Sequence, residues 1–199
     1  MGTLDIFFPR KCFGCQVTGF YLCPECVKKA ELVPPRKRRN YISIWKYKGN
    51  IRKAIIGMKY KFASEIAKEL AGYAVKDLKK RKFPKNLVLV PIPLHWRRKN
   101  WRGFNQSEEM GKIIAKEMGW DFDRNLLRRK ASTKPQVKFK GIEREENIKN
   151  AFKLTKPLSK EKTILLFDDV LTTGSTVREA IRVIKDGEGK EVWVLTLAS

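Results

Sequence analysis

Thr163-Ile164-Leu165-Leu166-Phe167-Asp168-Asp169-Val170-Leu171-Thr172-Thr173-Gly174-Ser175-Thr176 is the stretch whose reading decides the fold. Ile164 to Phe167 is an almost wholly apolar run, which suits a strand covered on both faces of a parallel sheet. Asp168 and Asp169 then fall at the strand's carboxyl end, where open α/β sheets bind ligands. Thr172, Thr173, Ser175 and Thr176 surround Gly174, the residue free to turn at positive φ. Val177, Ile181 and Ile184 follow at helical spacing, so the hydroxyl loop opens onto a helix N-terminus. Backbone N–H groups and hydroxyls converging on that positive dipole end make an anion cup.

The loop holds no lysine, unlike a nucleoside-triphosphate loop, so a monophosphate suits it better than a triphosphate. Ionised aspartates beside it can only accept hydrogen bonds, and a sugar's vicinal hydroxyls offer donors. A diol next to a terminal phosphate describes a ribose 5-phosphate. Two other readings are a ligand-free acidic turn before a capped helix and a magnesium carboxylate of the Walker-B kind. The second lacks a matching phosphate loop elsewhere in the chain. The segment resembles the 5-phosphoribosyl-1-pyrophosphate (PRPP) signature of type I phosphoribosyltransferases, which would use magnesium with PRPP.

The 199 residues suffice for one α/β core and a small appendage. No apolar run reaches membrane-spanning length, so a soluble, cytoplasmic protein without membrane insertion is expected, with room for a peripheral place at the membrane's inner face. The balance of 44 basic against 21 acidic residues, a formal net charge of +23, points to a polyanionic partner, nucleic acid before membrane. The plainer reading is a surface made soluble by Lys and Arg.

Toward the N-terminus, Cys12-Phe13-Gly14-Cys15 and Cys23-Pro24-Glu25-Cys26 use all 4 cysteines as two C-x-x-C knuckles. Four thiolates complete a closed tetrahedral site, so structural zinc fits best, with iron–sulfur and redox use as the alternatives. Residues 1–33 read as this module and 34–40 as a proline-containing basic linker carrying Arg36, Lys37, Arg38 and Arg39. Residues 41–199 read as the α/β domain. Tyr41 to Lys48 predicts a strand. Asn50 predicts the cap of a helix burying Ile51, Ala54, Ile55, Met58 and Phe62. A second helix runs through Ile66, Leu70, Tyr73, Ala74 and Leu78 into Lys79-Lys80-Arg81-Lys82, and Leu87 to Val90 predicts a strand ended by Pro91.

His95 to Gln106 alternates Trp96, Trp101 and Phe104 with Arg97, Arg98, Lys99 and Arg102, without an acid. Such a stretch clamps a pyrophosphate, with Arg97, Arg98 and Arg102 as candidates, or stacks and neutralises single-stranded nucleic acid. It is otherwise an exposed basic loop. His95, the only histidine, is not favoured as catalytic. Asn105 or Ser107 caps a helix with Met110, Ile113, Ile114 and Met118 inward. Arg124 to Lys140, including Arg128, Arg129 and Lys130, carries seven cations and no acid and reads as a loop or hairpin. Arg144, Asn147 and Phe152 read as irregular, and Val192 to Leu197 as a last strand. The alternation predicts a mainly parallel twisted sheet flanked by helices.

As a whole the chain resembles the ComF family of competence proteins. The resemblance rests on the paired knuckles, Lys59-Tyr60, Val90-Pro91-Ile92-Pro93, Arg102-Gly103-Phe104-Asn105-Gln106, Gln136, the Arg144/Asn147/Phe152 spacing and Phe167-Asp168-Asp169-Val170 with Thr172-Thr173-Gly174. It implies an N-terminal zinc finger on a type I phosphoribosyltransferase domain. It also implies import of single-stranded DNA during transformation, with a DNA-translocating helicase as partner. In purine-salvage enzymes of that class, the position of Thr172 is an aspartate acting on the base. A threonine cannot serve as that general base near neutral pH. PRPP binding without purine salvage is therefore expected, with transfer to another nitrogen nucleophile as the alternative. The DNA candidates are Arg36 to Arg39, Trp96, Lys99, Trp101 and Arg128 to Lys130.

Overall fold

A computed structural model describes residues 9–34, 40–58, 63–94, 103–130, 150–189 and 191–199. In chain order the elements are α1 (Pro24–Lys28), β1 (Tyr41–Trp45), α2 (Gly49–Gly57), α3 (Ala63–Leu78), β2 (Leu87–Pro91), α4 (Gln106–Met118) and β3 (Asp121–Phe122). They continue with β4 (Leu127–Arg129), β5 (Phe152–Leu154), β6 (Thr163–Val170), α5 (Ser175–Asp186) and β7 (Val192–Ala198). Five strands form one parallel sheet in the order β1-β7-β6-β2-β3.

β6 sits in the middle, with Leu166 opposite Val90 on one side and Val194 on the other. Both of its faces are buried, which is why its apolar run does not alternate. Leu165 and Phe167 join Leu89, Leu195 and Leu197 against the apolar faces of α3 and α4. Ile164 and Leu166 join Val90 and Val194 against Val177, Ala180 and Ile184 of α5. Helices thus cover both faces, and the core is two apolar layers separated by the sheet. No described helix is long and apolar enough to cross a membrane.

Three local readings are corrected. Asn50 does not cap α2: the N-cap is Lys48, with no side-chain hydrogen bond, and the Asn50 amide instead crowds Gly14, where a Cβ would meet Nδ2 at 2.5 Å. β1 stops at Trp45 rather than Lys48, and just past its end the Lys46 N–H donates to the Glu31 carbonyl (2.8 Å). The Val33 N–H likewise donates to the Ile44 carbonyl (2.9 Å), so the backbone of residues 31–33 lines the outer edge of β1. Phe152 is not irregular: it opens β5, pairs antiparallel with Arg129 of β4 and is 1% exposed. A three-residue strand is too short to show a period in sequence.

The cysteine module packs on the α/β domain. Tyr21, Leu22 and Cys23 share one buried cluster with Ile51, Ile55, Ile66 and Leu70. The Glu69 carboxylate of α3 accepts the backbone N–H groups of Tyr21 (3.0 Å) and Leu22 (2.8 Å), and the Tyr73 hydroxyl donates to the Leu22 carbonyl (2.9 Å). We propose residues 1–33, 34–40 and 41–199 as module, linker and domain, with this surface joining the first to the last.

Candidate functional site

The carboxyl end of β6 carries Asp168 and Asp169, and the turn after it leads into α5. Gly174 adopts φ +74° as the N-cap of α5, the left-handed backbone anticipated for it. The turn is closed on itself: the Thr173 and Ser175 hydroxyls lie 3.0 Å apart, and the Arg178 N–H donates to the Gly174 carbonyl at 2.8 Å. Residues 170–177 with Asp168 line one cup, and Thr172 and Thr173 are exposed there. Gly174 gives α5 no side-chain cap, and although the Ser175 N–H reaches the Thr173 hydroxyl at 3.5 Å, the next N–H groups of the first turn are donors suited to an anion in that cup.

Asp168 is held from α4. Asn105 caps that helix, its side chain accepting the Ser107 N–H (3.2 Å) while its Nδ2 donates to the Ile92 carbonyl just past β2 (3.2 Å). This seats the buried Ser107 so that its hydroxyl donates to Asp168 Oδ1 at 3.0 Å, and the Asp169 N–H donates to the same oxygen at 3.0 Å. Burial, reinforced by the neighbouring Asp169 carboxylate, pushes Asp168 up to about 8 against those two donors. The carboxyl therefore changes charge near neutral pH.

Two participants escaped the sequence reading. In sequence Ser107 reads only as a cap, and no local signal assigns its hydroxyl to Asp168. Arg178 lies one turn into α5, and its Nη1 donates to the Thr173 carbonyl at 2.7 Å, bracing the cup. A cation so near a helix N-terminus opposes the dipole and adds positive charge beside the cup.

The four cysteines converge: the Sγ atoms of Cys12, Cys15, Cys23 and Cys26 all lie within 4.8 Å of one another. One tetrahedral zinc, with Zn–S bonds of about 2.3 Å, fits inside that spacing. Burial opposes ionisation of Cys12, but the N–H groups of Cys23, Cys15 and Gly14 bring its thiol down to about 6. The donors and their spacing thus match a closed structural zinc site.

Arg128 and Lys130 on and beside β4 are exposed, and the half-buried Arg129 stacks its guanidinium 5.5 Å from the centre of the Phe152 ring. The remaining basic and aromatic candidates lie outside the described residues: Arg36, Lys37, Arg38, Arg39, Trp96, Arg97, Arg98, Lys99, Trp101 and Arg102. So do His95, Lys59, Tyr60, Phe62, Gln136, Arg144 and Asn147.

Residues 60–199 match the phosphoribosyl transferase domain family. The DNA utilization protein YhgH of Salmonella typhi is 31% identical over 87% of this chain and 76% of its own length. Competence protein F of Haemophilus influenzae is 31% identical over 63% of this chain and 56% of its own. Competence protein ComFC of Bacillus subtilis is 27% identical over 94% of this chain and 83% of its own. Among solved structures, adenine phosphoribosyltransferase from Leishmania tarentolae aligns at TM-score 0.41 and 18% identity, covering 67% of this chain and 56% of that one. The domain match over residues 60–199 and the relatives named for DNA utilization and competence place the chain in the ComF family of competence proteins, built on a phosphoribosyl transferase domain.

Proposed function

We propose that this protein binds PRPP with magnesium in the β6–α5 cup, binds single-stranded DNA on its basic surface, and assists import of transforming DNA into the cytoplasm. The observation that carries the reading is the acid pair set directly against a lysine-free, hydroxyl-lined helix N-terminus. In this reading Asp168 and Asp169 accept the ribose hydroxyls. The hydroxyls and N–H groups of Thr172, Thr173, Gly174, Ser175 and Thr176 hold the 5-phosphate. Arg97, Arg98 and Arg102 meet the pyrophosphate, whose charge magnesium shares. The net charge of +23 and relatives named for DNA utilization and competence support the DNA part. Arg36 to Arg39, Trp96, Lys99, Trp101 and Arg128 to Lys130 are the contact candidates. A DNA-translocating helicase is the partner such a role calls for, at a cytoplasmic station on the inner face of the membrane.

One observation favours a second reading, transfer of ribose 5-phosphate from PRPP to a nitrogen nucleophile. Asp168, pushed up to about 8, can exchange a proton near neutral pH, which Thr172 cannot. Calorimetry with PRPP and magnesium tests the site: an Asp168→Ala/Asp169→Ala variant that binds as tightly as the parent removes the reading. Titrating labelled single-stranded DNA at several salt concentrations, while assaying pyrophosphate release, separates the two functions. DNA binding without release supports the first, and release that depends on an added nucleophile supports the second.

A further inference from the structure

The other end of the sheet carries a feature that the phosphate cup does not use. Residues 76–85 read Lys-Asp-Leu-Lys-Lys-Arg-Lys-Phe-Pro-Lys, six cations and one acid. The acid is already engaged: Asp77 Oδ2 accepts from Arg81 Nε at 2.7 Å. Lys79, Lys80, Lys82 and Lys85 are exposed, and among the described residues none of them has a carboxylate within 4.0 Å.

Folding does not account for them. The negative end of α3 welcomes cations, but only within its last turn, and Lys82 and Lys85 lie beyond it. Crowded ammonium groups without counter-charges repel one another and oppose the folded state. The turn is nevertheless rigid. The Lys79, Lys80 and Arg81 N–H groups donate to the carbonyls of Val75 (2.9 Å), Asp77 (3.1 Å) and Leu78 (2.9 Å). The Phe83 ring then packs edge-on against Trp120 (4.7 Å between centres) and tilted on Trp193 (5.9 Å). All three rings are half-buried, so each keeps some surface in water, and Phe83 stands between Lys82 and Lys85 in the chain.

This platform sits at the amino ends of the strands, since the Thr163 N–H donates to the Asn86 carbonyl (2.9 Å) and Trp193 is the second residue of β7. The cup lies at the far end of β6, roughly 23 Å away at about 3.3 Å per residue. We propose that Lys79, Lys80, Lys82 and Lys85, over the Phe83–Trp120–Trp193 platform, form a docking surface for single-stranded nucleic acid, with the phosphates on the ammonium groups and a base against the exposed ring surface. The proposal rests on the DNA-binding reading and adds where the strand lies: apart from PRPP, so that the two ligands do not compete. An anionic membrane fits less well, because the aromatic rings pack on each other and do not protrude as an insertable apolar face.

The test uses a fluorescent 20-mer of oligothymidine, read by anisotropy across a salt series. The full chain is compared with a Lys79→Gln/Lys80→Gln/Lys82→Gln/Lys85→Gln variant and with a control that loses equal charge elsewhere, at Lys29, Lys53, Lys112 and Lys160. The site variant should bind at least tenfold more weakly at low salt, with its log–log salt slope smaller by up to about 3, from about 0.7 per phosphate. The control should lose much less, and saturating PRPP should leave the parent's affinity unchanged. Equal losses in the two variants, or displacement by PRPP, overturn the location while leaving the DNA reading intact. Absence of binding by the parent removes the reading and the location together. If the site variant binds oligothymidine normally but loses phosphatidylserine vesicles, the face belongs to a membrane and the proposal is refuted.

Discussion

The carboxyl of Asp168 should make ligand binding depend on pH in a range well above that in which most carboxylates ionise. Its ordinary value is 3.8, and burial with the Asp169 charge moves it to about 8. Between those values the folded protein keeps a proton that the unfolded chain has released, so this group's contribution to stability falls as pH rises through that window. A ribose diol donates hydrogen bonds, and only the ionised carboxyl accepts them with both oxygens. Affinity should therefore rise with pH in proportion to the ionised fraction, from about one tenth at pH 7 to about nine tenths at pH 9, roughly a tenfold gain. Ribose 5-phosphate without magnesium is the suitable probe, because its phosphate has already ionised above a pKa of about 6. Calorimetry at half-unit steps measures the curve. Asp168→Asn should bind weakly with a flat profile, and Ser107→Ala, which deletes the 3.0 Å donor to the carboxylate, should move the midpoint upward. A parent profile that is flat between pH 7 and 9 refutes the reasoning.

Four further outcomes follow from particular contacts. Removing zinc with a chelator should lower the melting temperature of the whole chain in a single transition, since Cys12, Leu22 and Cys26 share the core of α2 and α3; a separate early transition with the rest unmoved would speak against it. Gly174→Ala forces a side chain into φ +74°, costing about 1 kcal/mol in denaturant titration and weakening ribose 5-phosphate binding; an unchanged midpoint contradicts the strain. Gly111→Ala puts a Cβ 2.8 Å from Leu89 Cδ2, at the packing of α4 on the sheet, and should cost about 1–3 kcal/mol by the same titration. Thr196→Val should stabilise by about 1 kcal/mol, because the Thr196 hydroxyl is fully buried without a partner among the described residues; destabilisation would mean the hydroxyl is satisfied.

The α/β layers and the cup were legible because each rests on a local rule. Ile164 to Phe167 has the length and composition of a strand buried on both faces, Gly174 marks the positive φ, and Val177 with Ile184 fixes the face of α5. What the sequence hides are contacts across long separations. Nothing near Ser107 announces that its hydroxyl meets Asp168, 61 residues on, and nothing near Glu69 announces the N–H groups of Tyr21 and Leu22. Asn50 misled because a capping residue type stood where a helix was due, yet Gly49 at φ +53° already begins the helix behind Lys48. Phe152 was missed because its partner strand β4 is as short as its own.

Long-range contacts of the same kind connect the cysteine module to the carboxyl end of β6. Glu69 fixes the chain between the knuckles to α3, and the Phe13 ring presses on α2 at Gly57, where a Cβ would stand 2.7 Å from Cζ. The next residue, Met58, is fully buried, and its carbonyl accepts from Gln106 Nε2 at 3.5 Å. Gln106 opens α4 and stands between Asn105, which is tied to the end of β2, and Ser107, which holds Asp168. Every step is a packing or hydrogen-bond contact between buried or half-buried groups, where a displaced neighbour cannot be replaced by water without cost. The seat of α2 thus depends on the cysteine module, and through Gln106 so does the helix start that positions the carboxylate. That continuity gives the small cysteine module its place in the architecture: it completes the core beneath α2 and α3 on which the start of α4 rests.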